Sequence, residues 1–254
     1  MNFSELKEFL DLKAQYYQSQ EFIEADPIQI PHRFSKKKDI EIAGFLAATI
    51  AWGNRTSIIK NATKMMSLMD ESPYDFITNH EAKDLEVFNG FVHRTFNAGD
   101  LKYFVGALQN LYKNHGGLET AMSQDAAELG VQPALHHFKK RFFELPHQIR
   151  TQKHLADPLK GSAAKRINMY LRWMVRSSST GVDFGIWESI HSRQLSCPLD
   201  VHSGTIARKL GILDRKQNDA KAVLELDNQL RLMDAEDPVK YDFALFGLGA
   251  FEKF

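Results

Sequence analysis

A chain of 254 residues with 43% hydrophobic and 25% charged side chains has apolar surface enough for one large domain or two lobes sharing a cleft, which excludes wholesale disorder. Its single cysteine, Cys197, excludes an internal disulfide, a zinc knuckle and a four-cysteine iron–sulfur site, and reads as a small buried hydrophobe rather than a nucleophile. The 32 basic and 32 acidic residues cancel, which counts against a generally basic nucleic-acid binder and moves the question to where the charges sit.

Helical periodicity dominates and β-branched alternation is scarce, so the expected fold class is all-α. Residues 4–18 and 39–52 read as helices, parted by a loop that holds Pro27 and Pro31 and by the basic run Lys36-Lys37-Lys38. Asp39 is placed as the N-cap of the second helix. The longest apolar run, 42–52, is too short to span a bilayer, and the N-terminus has acidic residues and no signal core, which points to a cytoplasmic protein with no membrane partner. A helix over 54–69 ends near Pro73, residues 80–100 give no clear period, and amphipathic helices follow over 101–114 and 134–144. The most distinctive helix, 162–175, carries Ile167, Leu171, Met174 and Val175 on one stripe and Lys165, Arg172 and Arg176 on another. A short helix is expected over 184–194, then one over 201–210 closed by Gly211, and two more over 216–232 and 238–249.

Two segments carry chemistry. Between Arg150 and Arg176 stand seven basic residues, Arg150, Lys153, Lys160, Lys165, Arg166, Arg172 and Arg176, against the single acid Asp157. Within this stretch Gly161-Ser162-Ala163 leads into a helix N-terminus, where small residues let amide groups approach an anion and the helix dipole favours it. A solvated basic face with an ordinary turn has the same pattern. In the second segment, Pro198-Leu199-Asp200-Val201-His202, Asp200 falls where a helix N-cap belongs. Asp200 and His202 also suggest a metal, but they point differently across a helix start and no third ligand is near, so neither metal nor cofactor is expected.

The order of these segments resembles the helix-hairpin-helix DNA glycosylase superfamily, which includes endonuclease III and the 8-oxoguanine DNA glycosylases. The shared pattern is a small-residue turn, a Lys in the next helix, then Leu199-Asp200-Val201-His202 heading a helix that ends Arg208-Lys209-Leu210-Gly211. A third segment, Gly44 to Arg55, is similar to that family's first core helix and the loop that fills the gap left by a flipped base. The resemblance implies two helical lobes with a cleft between them: residues 39–178, barrel-like and ending in the helix-hairpin-helix, and residues 1–38 plus 195–254, carrying the catalytic Asp. It implies Lys165 as the Schiff-base nucleophile and Asp200 as the assisting acid. It places Lys160, Gly161, Ser162, Ala163, Arg166, Arg172, Arg176, His202, Arg208, Asn54 and Arg55 against damaged duplex DNA, in a nucleoid-associated setting. Trp52, Trp173 and Trp187 are candidates either for stacking on the extruded base or for the core.

Two departures stand out: Ala163 occupies the position of a second turn glycine, and the Lys165-to-Asp200 separation is long, as in the archaeal 8-oxoguanine glycosylases. The motifs His93-Arg94-Thr95-Phe96-Asn97 and Asp237 to Leu245 resemble an uncharacterised bacterial family of this type that lacks the iron–sulfur cluster. The expected activity is a glycosylase, bifunctional with abasic-site lyase activity and directed at oxidised purines such as 8-oxoguanine. The alternative is the same fold binding nucleic acid without catalysis, with Lys165 on a phosphate.

Overall fold

Asn2 starts the first helix through a capping box: its side chain accepts the Glu5 amide at 3.0 Å, and the Glu5 carboxylate accepts the Asn2 amide at 2.9 Å. The helix, α1 (Phe3–Tyr17), buries Leu6, Leu10, Ala14 and Tyr17 along one face. This computed structural model describes residues 1–252 and 254, and the all-α reading holds apart from one minimal hairpin. After α2 (Gln20–Glu24), two proline-led turns at Pro27–Gln29 and Pro31–Arg33 lead into α3 (Lys37–Thr49), which is buried from Asp39 onward. Asp39 does not cap α3, because that helix begins two residues earlier. Its Oδ1 instead accepts the Tyr74 amide at 2.9 Å, across space, at the start of α5 (Pro73–Asn79), where Ser72 makes no cap bond. Between them lies α4 (Arg55–Leu68), capped by Asn54 on the Ser57 amide at 3.1 Å.

The aperiodic stretch 80–100 contains β1 (Val92–His93) and β2 (Phe96–Asn97), paired antiparallel with Val92 opposite Asn97 and His93 opposite Phe96. Strands of two residues leave no alternation to read. Asn97 and Asp100 then form a capping box that opens α6 (Ala98–Asn114), ahead of the predicted start. The chain continues through α7 (Gly117–Ser123), α8 (Ala126–Leu129), α9 (Val131–Phe142) and α10 (Lys165–Val175). The α10 helix begins at Lys165 rather than Ser162 because Gly161 (φ 88°) and Ala164 (φ 49°) both lie in the left-handed region.

No α-helix forms over 184–194, which holds only a single turn at Ser192–Gln194. The Phe184 amide donates to the Trp173 carbonyl and the Ile186 amide to the Met174 carbonyl, both at 2.8 Å. The segment thus satisfies the carbonyls that α10 leaves open at its C-terminal end instead of coiling on itself. Last come α11 (Val201–Lys209), α12 (Ala220–Met233, starting later than predicted) and α13 (Tyr241–Gly247).

Two hydrophobic cores result. The larger centres on α3, α6, α9 and α10 and takes in Phe22, Ile23, Ile28 and Ile30. The smaller joins α1, α11, α12 and α13 around Cys197 and Leu199. Along α13, Phe243 belongs to the larger core and Tyr241, Ala244 and Leu245 to the smaller, so this helix ties the two together.

Candidate active site

Where α10 of the larger core approaches α11 of the smaller, an open cavity of ≈ 490 Å³ is lined by Lys165, Arg166 and Met169 from one side and Asp200, Val201 and His202 from the other. Asp26, Pro27 and Phe246 complete its walls, and Trp52, Gly53 and Arg55 stand on the α3–α4 side. Lys165 Nζ lies 3.7 Å from Asp200 Oδ2, with the two side chains 26% and 24% exposed. Asp200 is also the N-cap of α11. Its Oδ1 accepts the His202 amide at 2.8 Å and the Ser203 amide at 3.1 Å. One oxygen holds the helix start and the other faces the amine.

Lys165 is the first helical residue of α10 and follows the left-handed Ala164, whose amide donates to Ser162 Oγ at 3.1 Å. A non-glycine residue at positive φ stores about 1 kcal/mol or more of strain, so the surrounding contacts fix the turn just before the lysine. Those contacts are visible. The Gly161 amide donates to the Pro158 carbonyl at 3.0 Å and the Ser162 amide to the Asp157 carbonyl at 3.3 Å. Buried Asp157 is held by His136 Nδ1 at 2.9 Å, and Ser162 bridges to Asp219. The Gly161 and Ser162 amides, expected to approach an anion, are instead engaged within their own turn; Lys160, Gly161 and Ser162 are exposed and Ala163 is half-buried.

The other predicted residues divide sharply. Arg166, His202 and Arg55 line the cavity, Arg55 lying 5.3 Å over the Phe246 ring. Arg166 donates to the Thr49 carbonyl and lies 4.6 Å over the Trp52 ring, and burial pushes its guanidinium down to about 10. It builds a wall of the cavity. Asn54 is exposed and serves as the α4 cap. Arg208 binds the Arg215 carbonyl at 2.8 Å and Asn218 Oδ1 at 2.6 Å, which ties down the loop after α11.

Arg172 and Arg176 do not reach solvent, let alone a phosphate: they are 2% and 6% exposed. Arg172 pairs with Asp183 at 3.3 Å and with Asp242, and Arg176 pairs with Asp183 at 3.1 Å and Asp237 at 2.9 Å. They share the lysine's stripe, but the later turns of α10 run inward, where carboxylates from three distant positions meet them. Burial opposes the Arg172 charge, yet Asp183 and Asp242 beside it hold its guanidinium above the usual value. Burial in turn raises Asp183, against the pull of both arginines. Asp242, buried, is pushed up to about 6 by burial, against the lowering influence of Arg172 and Lys165.

Of the three tryptophans only Trp52 reaches the cavity; Trp173 is in the core, and Trp187 is buried with its Nε1 donating to Glu41 at 2.9 Å. Burial drives the Cys197 thiol well above its ordinary range, as suits a packing residue. Among the described residues no group of three or more His, Cys, Asp or Glu is placed to hold a metal, and no helix is long and apolar enough to cross a membrane.

Sequence reasoning missed Asp26, Phe246 and Arg94. Arg94 has φ 54° at the tip of the β1–β2 hairpin, and its guanidinium lies so close over Gly53 that a Cβ there would come within 2.5 Å of it. Beside it, His93 bonds the Trp52 carbonyl at 3.2 Å and Asn61 at 3.0 Å, which seats the hairpin against the cavity wall. Only the conspicuous His93–Asn97 motif pointed toward this, and it named no chemistry.

The family model described as a protein of unknown function (DUF2400) matches residues 26–251, and the chain belongs to that family. No curated protein and no solved structure matches it.

Proposed function

We propose that this DUF2400 member is a DNA base-excision glycosylase with abasic-site lyase activity, working through Lys165 and Asp200 in a helix-hairpin-helix setting. The observation that carries this reading is the 3.7 Å approach of the Lys165 amine to the Asp200 carboxylate inside an open cavity. An amine and a carboxylate brought together from separate elements are what Schiff-base chemistry at a sugar carbon needs. The ≈ 490 Å³ cavity falls within the range of small-molecule sites, about 300–1,000 Å³.

A duplex hides its glycosidic carbons, so the nucleotide must be extruded into the cavity. As the bond between C1′ and the base breaks, the base leaves with the electron pair and positive charge grows on the sugar. Asp200 Oδ2 faces that charge while Oδ1 keeps its cap bonds. Neutral Lys165 attacks C1′, the sugar ring opens, and the imine that forms makes the C2′ proton acidic enough for β-elimination of the 3′ phosphate. Exposed Lys160 on the turn before α10 and exposed Arg94 at the hairpin tip flank this region as phosphate contacts.

The test is borohydride trapping with oligonucleotides bearing an abasic site, 8-oxoguanine or an oxidised pyrimidine. A covalent complex is the expected result; no complex with any of the three sinks the reading. A second measurement addresses the phosphates. Lys160→Gln and Arg94→Gln should each flatten the dependence of log affinity on log salt by about one counterion, without changing which lesion is preferred. Unchanged slopes in fluorescence anisotropy would remove these residues from the interface.

A further inference from the structure

Below the cavity lies a chamber of ≈ 20 Å³, room for one water molecule, whose lining includes Lys165, Asp242, Arg172 and Asp26. Asp242 stands on the first turn of α13, and one of its oxygens is engaged by Arg172 Nη1. Among the described residues no group donates to the other. We infer that Asp242 is the positioning residue that takes the proton Lys165 must lose before it can attack, passed through that chamber; this rests on the lyase reading above. In the step, an N–H bond of the ammonium breaks and an O–H bond of the carboxyl forms. Lys165 goes from charged to neutral, and so does Asp242.

The buried charges favour this transfer. Asp26, Asp183 and Asp242 are buried around only two guanidiniums, Arg172 and Arg176, so one negative charge is left over for Lys165 or a proton to balance. Moving the proton from Lys165 to Asp242 removes one charge of each sign and leaves the total unchanged, which a site of low dielectric favours over expelling a lone charge. The groups facing Asp242 are Lys165 and Arg172 from α10, Asp183 behind Arg172, Asp200 and Cys197 from the segment entering α11, and Asp26 across the chamber.

The other acids are committed. Asp183 uses both oxygens on Arg172 and Arg176, Asp26 caps its own turn at the Ile28 amide, 3.0 Å away, and Asp200 must stay negative to face the sugar. Burial also sets Asp242 near 6, where it can hold a proton and release it at neutral pH.

The experiment follows the cyanoborohydride trapping rate on an abasic oligonucleotide from pH 4.5 to 8. In the wild type the rate should rise through about 6 as Asp242 ionises. Asp242→Asn should abolish that rise and lower the rate at pH 7 at least tenfold, and Asp242→Glu should restore the rise. A rise unchanged in Asp242→Asn overturns the inference. A second readout needs no DNA. Lysines reductively methylated with ¹³C-formaldehyde are titrated by NMR, the Lys165 signal being assigned by its loss in Lys165→Gln. An inflection near 6 in the wild-type Lys165 signal that disappears in Asp242→Asn is expected; its absence from the wild type, or its survival in Asp242→Asn as the neighbouring His202 would give, overturns the inference. If that inflection is present and no DNA is trapped, the coupling stands and the lyase reading falls.

Discussion

Lys165→Gln is expected to abolish borohydride trapping and strand cleavage, by a factor of about 10³ or more, while leaving DNA affinity within a few-fold of the wild type. The size follows from the chemistry. Glutamine has no lone pair capable of forming an imine, so the covalent route closes instead of slowing. The selectivity follows from the geometry: the amine makes one ion pair, at 3.7 Å, to an Asp200 that is itself a quarter exposed, and buried Asp242 keeps Arg172 and can take a proton. Asp200→Asn is the companion. Asparagine caps helices about as well as aspartate, so the Oδ1 bonds to His202 and Ser203 survive and stability should change little. The negative charge opposite the sugar is lost, which should reduce base excision by about 10²–10³. If Asp200→Asn lowers the unfolding midpoint and spares excision, Asp200 is a cap alone. Single-turnover kinetics beside thermal denaturation separates the two outcomes.

The positions of Lys165 and Asp200 were legible because each sits at the start of a helix, where small residues or a capping carboxylate mark the place locally; the roles proposed for them came from the order of the motifs. The overall all-α class was legible for a similar reason, since periodicity is a short-range signal. What was not legible depended on partners far along the chain. A helical stripe says that Lys165, Arg172 and Arg176 share a face, but not that Asp183, Asp237 and Asp242 cover its far end. Phe246 and Asp26 enter the cavity from segments that stood out in the sequence, the stretch after Asp237–Leu245 and the Pro27–Pro31 loop, but carried no chemistry there. The segment 184–194 has a helix-compatible composition, and only the open carbonyls of α10 explain why it stays extended. Asp39 shows the same limit in miniature: it is a cap, but for α5 rather than for its own helix.

Arg172→Met is expected to destabilise the fold by about 3–5 kcal/mol, the cost of stripping a partner from a buried ion pair. Methionine keeps the apolar stem and a polarizable group near the Phe243 ring, over which the guanidinium sits at 4.1 Å, so the change isolates the charge. What remains is Asp183 and Asp242, both enclosed, with Arg176 alone to serve Asp183 and nothing for Asp242 but Lys165. The pH dependence has a definite sign. Burial already raises Asp242 to about 6, above its ordinary 3.8, and Arg172 is among the groups holding it down. Without that arginine the folded variant binds more protons than the folded wild type, while the unfolded chains bind the same number. The penalty must therefore shrink as pH falls toward about 6, where Asp242 takes a proton in place of the guanidinium, and be larger at pH 8 than at pH 6. Urea unfolding of both proteins at the two pH values measures this. A penalty independent of pH would mean that the arginine contributes packing alone.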